Sequence, residues 1–232
     1  SEMNTMKLVD KILDGRNIFN SIYCMESYVF DKGLLDEEDL RLYYALADKH
    51  NMDLIDGVIA ACRERLQWLF KDKDNLFVAK VYFKLKKYDP HEQKLSFRPM
   101  HTAKLIDLIC MVSIMNCLMF DDDLDAGKRN LSDLSKLLPH NFYGNIPSTD
   151  VQYLFHRWQT KYKEYTEAVV EHCRAYQKNH SYLTEICLDI KNFFPSISPK
   201  MLYDYIISKL SRRYEDDNEA LSMAVSKLLY FK

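Results

Sequence analysis

The run from Leu183 to Ile197 constrains this chain more than any other. It reads as a buried strand that ends on an acid, then a tight aromatic bend, then a helix start. A period of two puts Ile186, Leu188 and Ile190 on one face, and Glu185, Cys187 and Asp189 on the other. Asp189 thus leaves the strand end opposite the apolar row. A carboxylate held there by rigid backbone can ligate a divalent cation such as Mg²⁺, which prefers hard oxygen ligands. For an isolated Asp the plainer reading is a solvated side chain. Ser198-Pro199 follows as an N-cap and first-turn pair, opening a helix predicted to reach about Arg213.

A second segment has the pattern of a hairpin. Val81 to Lys87 is rich in strand-forming residues, Tyr88 to Gln93 is a turn punctuated by Asp and Pro, and Lys94 to Met100 is a second run. Pro99 has no amide hydrogen, so it belongs at a strand end or edge. Between Lys71 and Lys104 there are nine basic residues against four acidic ones, in a chain whose formal net charge is −2. A local basic surface of this kind is the electrostatic footprint of phosphate contact. Taken alone, the segment reads equally as a solvated edge hairpin whose lysines discourage aggregation.

Together these residues carry a resemblance. Asp189-Ile190-Lys191-Asn192-Phe193-Phe194-Pro195-Ser196-Ile197 is similar to the first catalytic motif of bacterial reverse transcriptases of the group II intron, retron and abortive-phage-infection types. The resemblance implies that Asp189, with the Ile190 backbone carbonyl, binds catalytic Mg²⁺, with Mn²⁺ as a substitute. It implies that Phe194 lies under the sugar of the incoming nucleotide and selects deoxynucleotides. Phe193 or Phe194 is core, since adjacent aromatics leaving a strand face opposite sides. The basic hairpin resembles the fingers hairpin of the same polymerases. By that resemblance Arg98 and one of Lys84, Lys86 or Lys87, with Lys86 preferred, hold the triphosphate. A guanidinium fork and an ammonium suit phosphate oxygens.

The implied fold is α+β and mostly helical. Residues 1–75 form an N-terminal helical region, 76–180 the fingers with the β-hairpin, and 181–232 the first strand and helix of a polymerase palm. By the resemblance, the family's second catalytic motif, a Tyr-x-Asp-Asp on a later hairpin, is expected to lie beyond this stretch. Two-metal phosphoryl transfer holds cations about 3.5–4 Å apart, which one carboxylate and one carbonyl do not achieve. The chain is therefore read as part of an RNA-directed DNA polymerase that transfers deoxynucleotides to a 3′-hydroxyl, inactive by itself. The implied partners are an RNA template, a DNA or RNA primer and dNTP. Two rivals stand beside this: a reverse-transcriptase-like phage-defence protein making DNA without copying a template, and a non-enzymatic helical scaffold.

The remaining sequence fills in the scaffold. Scarce Gly and 47% hydrophobic residues indicate a globular, largely helical chain. No apolar run reaches the roughly 18 to 20 residues of a membrane span. The six cysteines form no Cys-x-x-Cys pair and read as reduced core residues of a cytoplasmic protein. Helical spacing predicts helices over Met6–Leu13, Ile18–Val29, about Asp36–His50, Leu54–Phe70, His101–Phe120, Val151–Lys178 and Ala220–Phe231. The Val151–Lys178 helix reads as a core helix, with a base-stacking surface of aromatics among Arg157, Lys161 and Lys163 as the rarer alternative. The Asp121–Asp125 cluster reads as a solvated loop.

Overall fold

The computed structural model describes residues 6–121, 129–180, 184–188 and 193–232, leaving out the side chains of Asp31, Phe194 and Pro195. It is an α+β fold dominated by helices. The helices α1 (Leu8–Leu13), α2 (Gly15–Cys24), α3 (Glu26–Lys32), α4 (Glu37–Leu46) and α5 (Met52–Lys71) come first. An antiparallel ribbon follows, β1 (Lys80–Asp89) with β2 (Lys94–Thr102), leading into α6 (Leu105–Met119). Then come the short pair β3 (Phe120–Asp121) and β4 (Asn130–Leu131), the helix α7 (Trp158–Gln177), the single turn α8 (Phe193–Ser196), α9 (Pro199–Leu210) and α10 (Asn218–Leu229).

The core forms where α6 is almost wholly enclosed. Ile109, Ile114 and Leu118 of α6 pack in one cluster with Ile18 and Ile22 of α2, Cys62 and Leu66 of α5, and Leu221 and Val225 of α10. Several polar groups inside it are matched. Asn17 Nδ2 donates to the Ser113 carbonyl (3.0 Å), and Asn116 Nδ2 donates to Ser21 Oγ (3.1 Å). Arg65 grips buried Asp107 with two bonds, Nε to Oδ1 at 2.7 Å and Nη2 to Oδ2 at 3.1 Å, tying α5 to α6. Lys227 is fully buried on α10, where its ammonium donates to the carbonyls of Asp72, Lys73 and Asn75 just beyond α5. Those carbonyls belong to the turn that ends a helix, where backbone acceptors need donors and a cation is favoured. Burial nonetheless lowers the lysine's pKa.

Several boundaries depart from the spacing. The helix predicted over Ile18–Val29 breaks at Met25, because the Leu154 amide donates to the Cys24 carbonyl at 2.8 Å. Gly33, at φ 62°, closes α3 in the left-handed conformation that glycine adopts without penalty. The helix predicted from His101 begins at Leu105, since His101 and Thr102 pair with Val81 and Lys80 in the ribbon. Its first amide is capped from another helix, Leu105 N donating to Asp39 Oδ2 at 3.0 Å. Within Val151–Lys178 only Trp158–Gln177 is helical, and no described residue of it is buried, so it is not a core helix. Its aromatics Trp158, Tyr162 and Tyr165 stand exposed.

The largest departure concerns the opening motif. Residues 184–188 adopt no regular secondary structure, and Ile186 and Leu188 are 74% and 89% exposed. The buried alternating strand read from the sequence is not formed there. Alternation fixes which residues share a face, but a strand needs a partner ladder, and neither the described sheets, β1–β2 and β3–β4, nor the isolated bridges Phe77–Phe231 and Pro147–Phe155 include residues 184–188. The Ser198-Pro199 start holds: Ser198 Oγ accepts from Met201 N and Pro199 opens α9, which ends at Leu210.

Candidate nucleic-acid interface

The ribbon is built by local sequence and then rooted by long-range bonds. Asp89 Oδ1 accepts from the amides of His91 and Glu92 at 3.0 and 3.2 Å, folding the turn the Asp-Pro pair announces. At the root, Tyr82 Oη donates to the Gly33 carbonyl and Thr102 Oγ1 to the Leu34 carbonyl. Asp36 is the hub. It caps α4 through Asp39 N (3.0 Å) and accepts from Lys80 Nζ at 2.6 Å and Lys104 Nζ at 3.0 Å. On the other side, Lys232 N donates to the Phe77 carbonyl and Ala79 N to the Lys232 carbonyl, so the last residues zip against the strand's approach.

Register gives the ribbon two chemically different faces. Lys80, Lys84, Lys87, Lys94 and Arg98 share one face with a single acid, Asp89. Val81, Phe83, Leu85, Tyr88, Leu95 and Phe97 share the other, and all six are exposed. A bulge lies between Leu85 and Lys87, leaving Lys86 as the extra residue with no partner across the ladder. Lys84, not Lys86, stands directly opposite Arg98. Like charges directly opposed across a ladder destabilise it. Neither has an ion-pair partner among the described residues, and the next pair on that face, Lys87 opposite Ser96, adds a third cation. The arrangement stores repulsion that an anion laid across the face would relieve.

Asp36 makes the root pH-sensitive. Its pKa is held well below the ordinary carboxylate range by the Lys80 ammonium first, then the Asp39 amide and Lys104. A depressed carboxylate pKa gives stabilisation that is present above the unfolded value, about 3.9, and is lost as pH falls through the folded value. The side chain is 38% exposed, so solvent screens part of this. The amides of Lys80 and Tyr82 are expected to keep their hydrogen-exchange protection factors at pH 5 and lose them progressively below pH 4. Asp36→Asn is expected to show the low-pH protection at pH 7.

The other sequence candidates are placed less fully. Phe193 begins α8 and is 46% exposed, so it is not a core residue. The side chain of Phe194 is not described. Asp189 and Ile190, on which the Mg²⁺ expectation rests, lie outside the described residues, as do Asp122–Asp125. Among the described residues no group of three or more His, Cys, Asp or Glu side chains could hold a metal. Asp121, at the edge of the acidic run, pairs with Arg213. All six cysteines are free, four of them buried. No helix among the described residues is long and apolar enough to cross a membrane. Local patterning could not find the bulge, which decides the cation opposite Arg98. Comparison with protein-family models, curated proteins and solved structures finds no match to this chain.

Proposed function

We propose that the ribbon's cationic face binds the phosphates of a nucleic acid or nucleotide, as the fingers hairpin of a reverse-transcriptase-type DNA polymerase does. The observation that carries the proposal is the direct opposition of Lys84 and Arg98 among five cations on one face. In this reading Arg98 and Lys84 straddle the triphosphate, Lys86 and Lys87 extend the charge toward the tip, and Asp189 serves a metal in the intact polymerase. The chain alone is expected to bind single-stranded RNA with an affinity that falls as salt rises. The logarithmic slope should be about −0.7 for each phosphate neutralised on a single strand. Fluorescence anisotropy at increasing salt measures it, and a salt-independent signal would sink the reading. Primer extension with dNTP and Mg²⁺ is expected to give no product from this chain, because its Tyr-x-Asp-Asp string, Tyr214-Glu215-Asp216-Asp217, lies in a short 3-10 turn instead of a hairpin and Asp217 Oδ2 already accepts from the Leu8 amide at 2.8 Å.

A second reading, a helical scaffold without catalysis, is favoured by the unpaired and exposed state of residues 184–188. Asp189→Asn in the full-length protein separates the two. The scaffold keeps its biological output, whereas the polymerase loses DNA synthesis.

A further inference from the structure

The ribbon's apolar face stands in solvent. Val81, Phe83, Leu85, Tyr88, Leu95 and Phe97 are each between 51% and 69% exposed, and the register sets no lysine, arginine, aspartate or glutamate among them. Together they leave roughly 600 Å² of side chain in water, taking about 200 Å² for a whole aromatic side chain. That is the upper end for the largest apolar patch on a monomer. The bonds that root the ribbon, from Lys80, Tyr82 and Thr102, lie at its base, so the length beyond them projects. A two-stranded ribbon is marginal in water unless its apolar face packs on something. Nucleic acid is a poor cover, because the cations that would neutralise its phosphates sit on the opposite face. At the foot, the apolar row runs on through His101 and Ala79 into a cavity of about 300 Å³, lined also by Met25, Val29, Leu34 and Met115. At the tip, on the same face, stands the Tyr88 ring. One face thus carries a protruding ring at one end and an apolar socket at the other.

We infer that two copies of this chain pack through this face as a two-fold dimer, the tip of each ribbon on the foot of the other. A two-fold contact must be self-complementary, and here the ring at one end of the face fits the socket at the other, so each copy's Tyr88 enters the other's cavity. Joining the two faces removes roughly 1,200 Å² from water in total, the lower bound of specific interfaces. Aromatic and aliphatic side chains free of charge are what the centre of such an interface needs. The tip-to-foot sense follows from bulk. Each helical body sits at the root of its own ribbon, so ribbons running the same way would drive the bodies together, whereas opposed ribbons set them at opposite ends. The two cationic faces then point outward, and both stay free for phosphate.

Sedimentation equilibrium of the whole chain, from about 1 μM to about 1 mM, tests the inference. The mass is expected to rise from 27.6 kDa to twice that value. The Kd is expected on the order of 10 μM, the weak range of a small interface. Raising sodium chloride from about 50 mM to about 500 mM is expected to leave the dimer intact, since apolar contact is not screened, the reverse of the RNA contact. Phe83→Ser/Phe97→Ser is expected to weaken the dimer about 100-fold or more, and Tyr88→Ala about tenfold, the scale of aromatic anchors at an interface. All three side chains are exposed, so the variants keep the fold, which circular dichroism checks. A chain that stays monomeric at about 1 mM, leaving the face to a different protein, would overturn the inference. So would a dimer that salt dissociates, assembly that grows past two copies, or unchanged affinity in either folded variant.

Discussion

Replacing Arg129 with alanine is expected to lower folding stability by about 3–5 kcal/mol, since each buried acceptor left without its donor costs about 1–3 kcal/mol. The guanidinium is 4% exposed and has no carboxylate ion pair among the described residues. It is held instead by neutral acceptors. Nη1 donates to Asn116 Oδ1 at 2.9 Å, and Nη2 donates to the carbonyls of Tyr153 (2.8 Å), Ser148 (3.2 Å) and Asp150 (3.4 Å). Its carbon lies 3.7 Å from the centre of the Phe120 ring, a stacking cation–π contact. Burial lowers its pKa, yet arginine stays charged throughout the useful pH range. Burial likewise raises the Cys24 thiol pKa despite the opposing pull of this guanidinium. Alanine would leave these acceptors buried without donors. Lysine restores the charge but neither the fork nor the flat face, so Arg129→Lys is expected to recover less than half of the loss. Urea unfolding checks both variants, the midpoint falling while the slope stays constant. An alanine variant within about 0.5 kcal/mol of the wild type, the range of ordinary surface substitutions, would refute the network.

Reversing Lys84 and Arg98 together to glutamate is expected to reduce single-stranded RNA affinity by about 100-fold or more. Each removed phosphate contact lowers the salt slope by about one unit for a duplex and somewhat less for a single strand, and each new carboxylate repels the strand. The fold is expected to tolerate the change, since both side chains are exposed and the reversal only exchanges one like-charge pair for another. Single Lys86→Glu is the informative control. The bulge residue has no partner across the ladder, so its effect is expected to be the smaller one. Equal losses from Lys84→Glu and Lys86→Glu would show that register does not organise the contact.

The ribbon was legible because every level of its sequence agrees: strand-forming runs, an Asp-Pro turn, and charges in one place. The same holds for Ser198-Pro199, whose capping chemistry is local. The break at Met25 was not legible, because its cause is an amide at Leu154, far along the chain. Buried Lys227 defied its charge for a similar reason, its three acceptors lying on the turn after α5. The row Ile186, Leu188 fits a strand face by period, yet period specifies no partner, and no described strand pairs with residues 184–188. The trait that set Lys84 against Arg98 was a one-residue register shift, which no residue type signals.

The backbone zipper between Phe77, Ala79 and Lys232 has a practical corollary. A dye or affinity handle fused after Lys232 would emerge at the foot of the hairpin, within reach of its charged arm. Such a label would act as a proximity reporter of strand capture, and a bulky one would crowd the very ligand it was meant to follow. Labels for equilibrium measurements therefore belong away from Lys232.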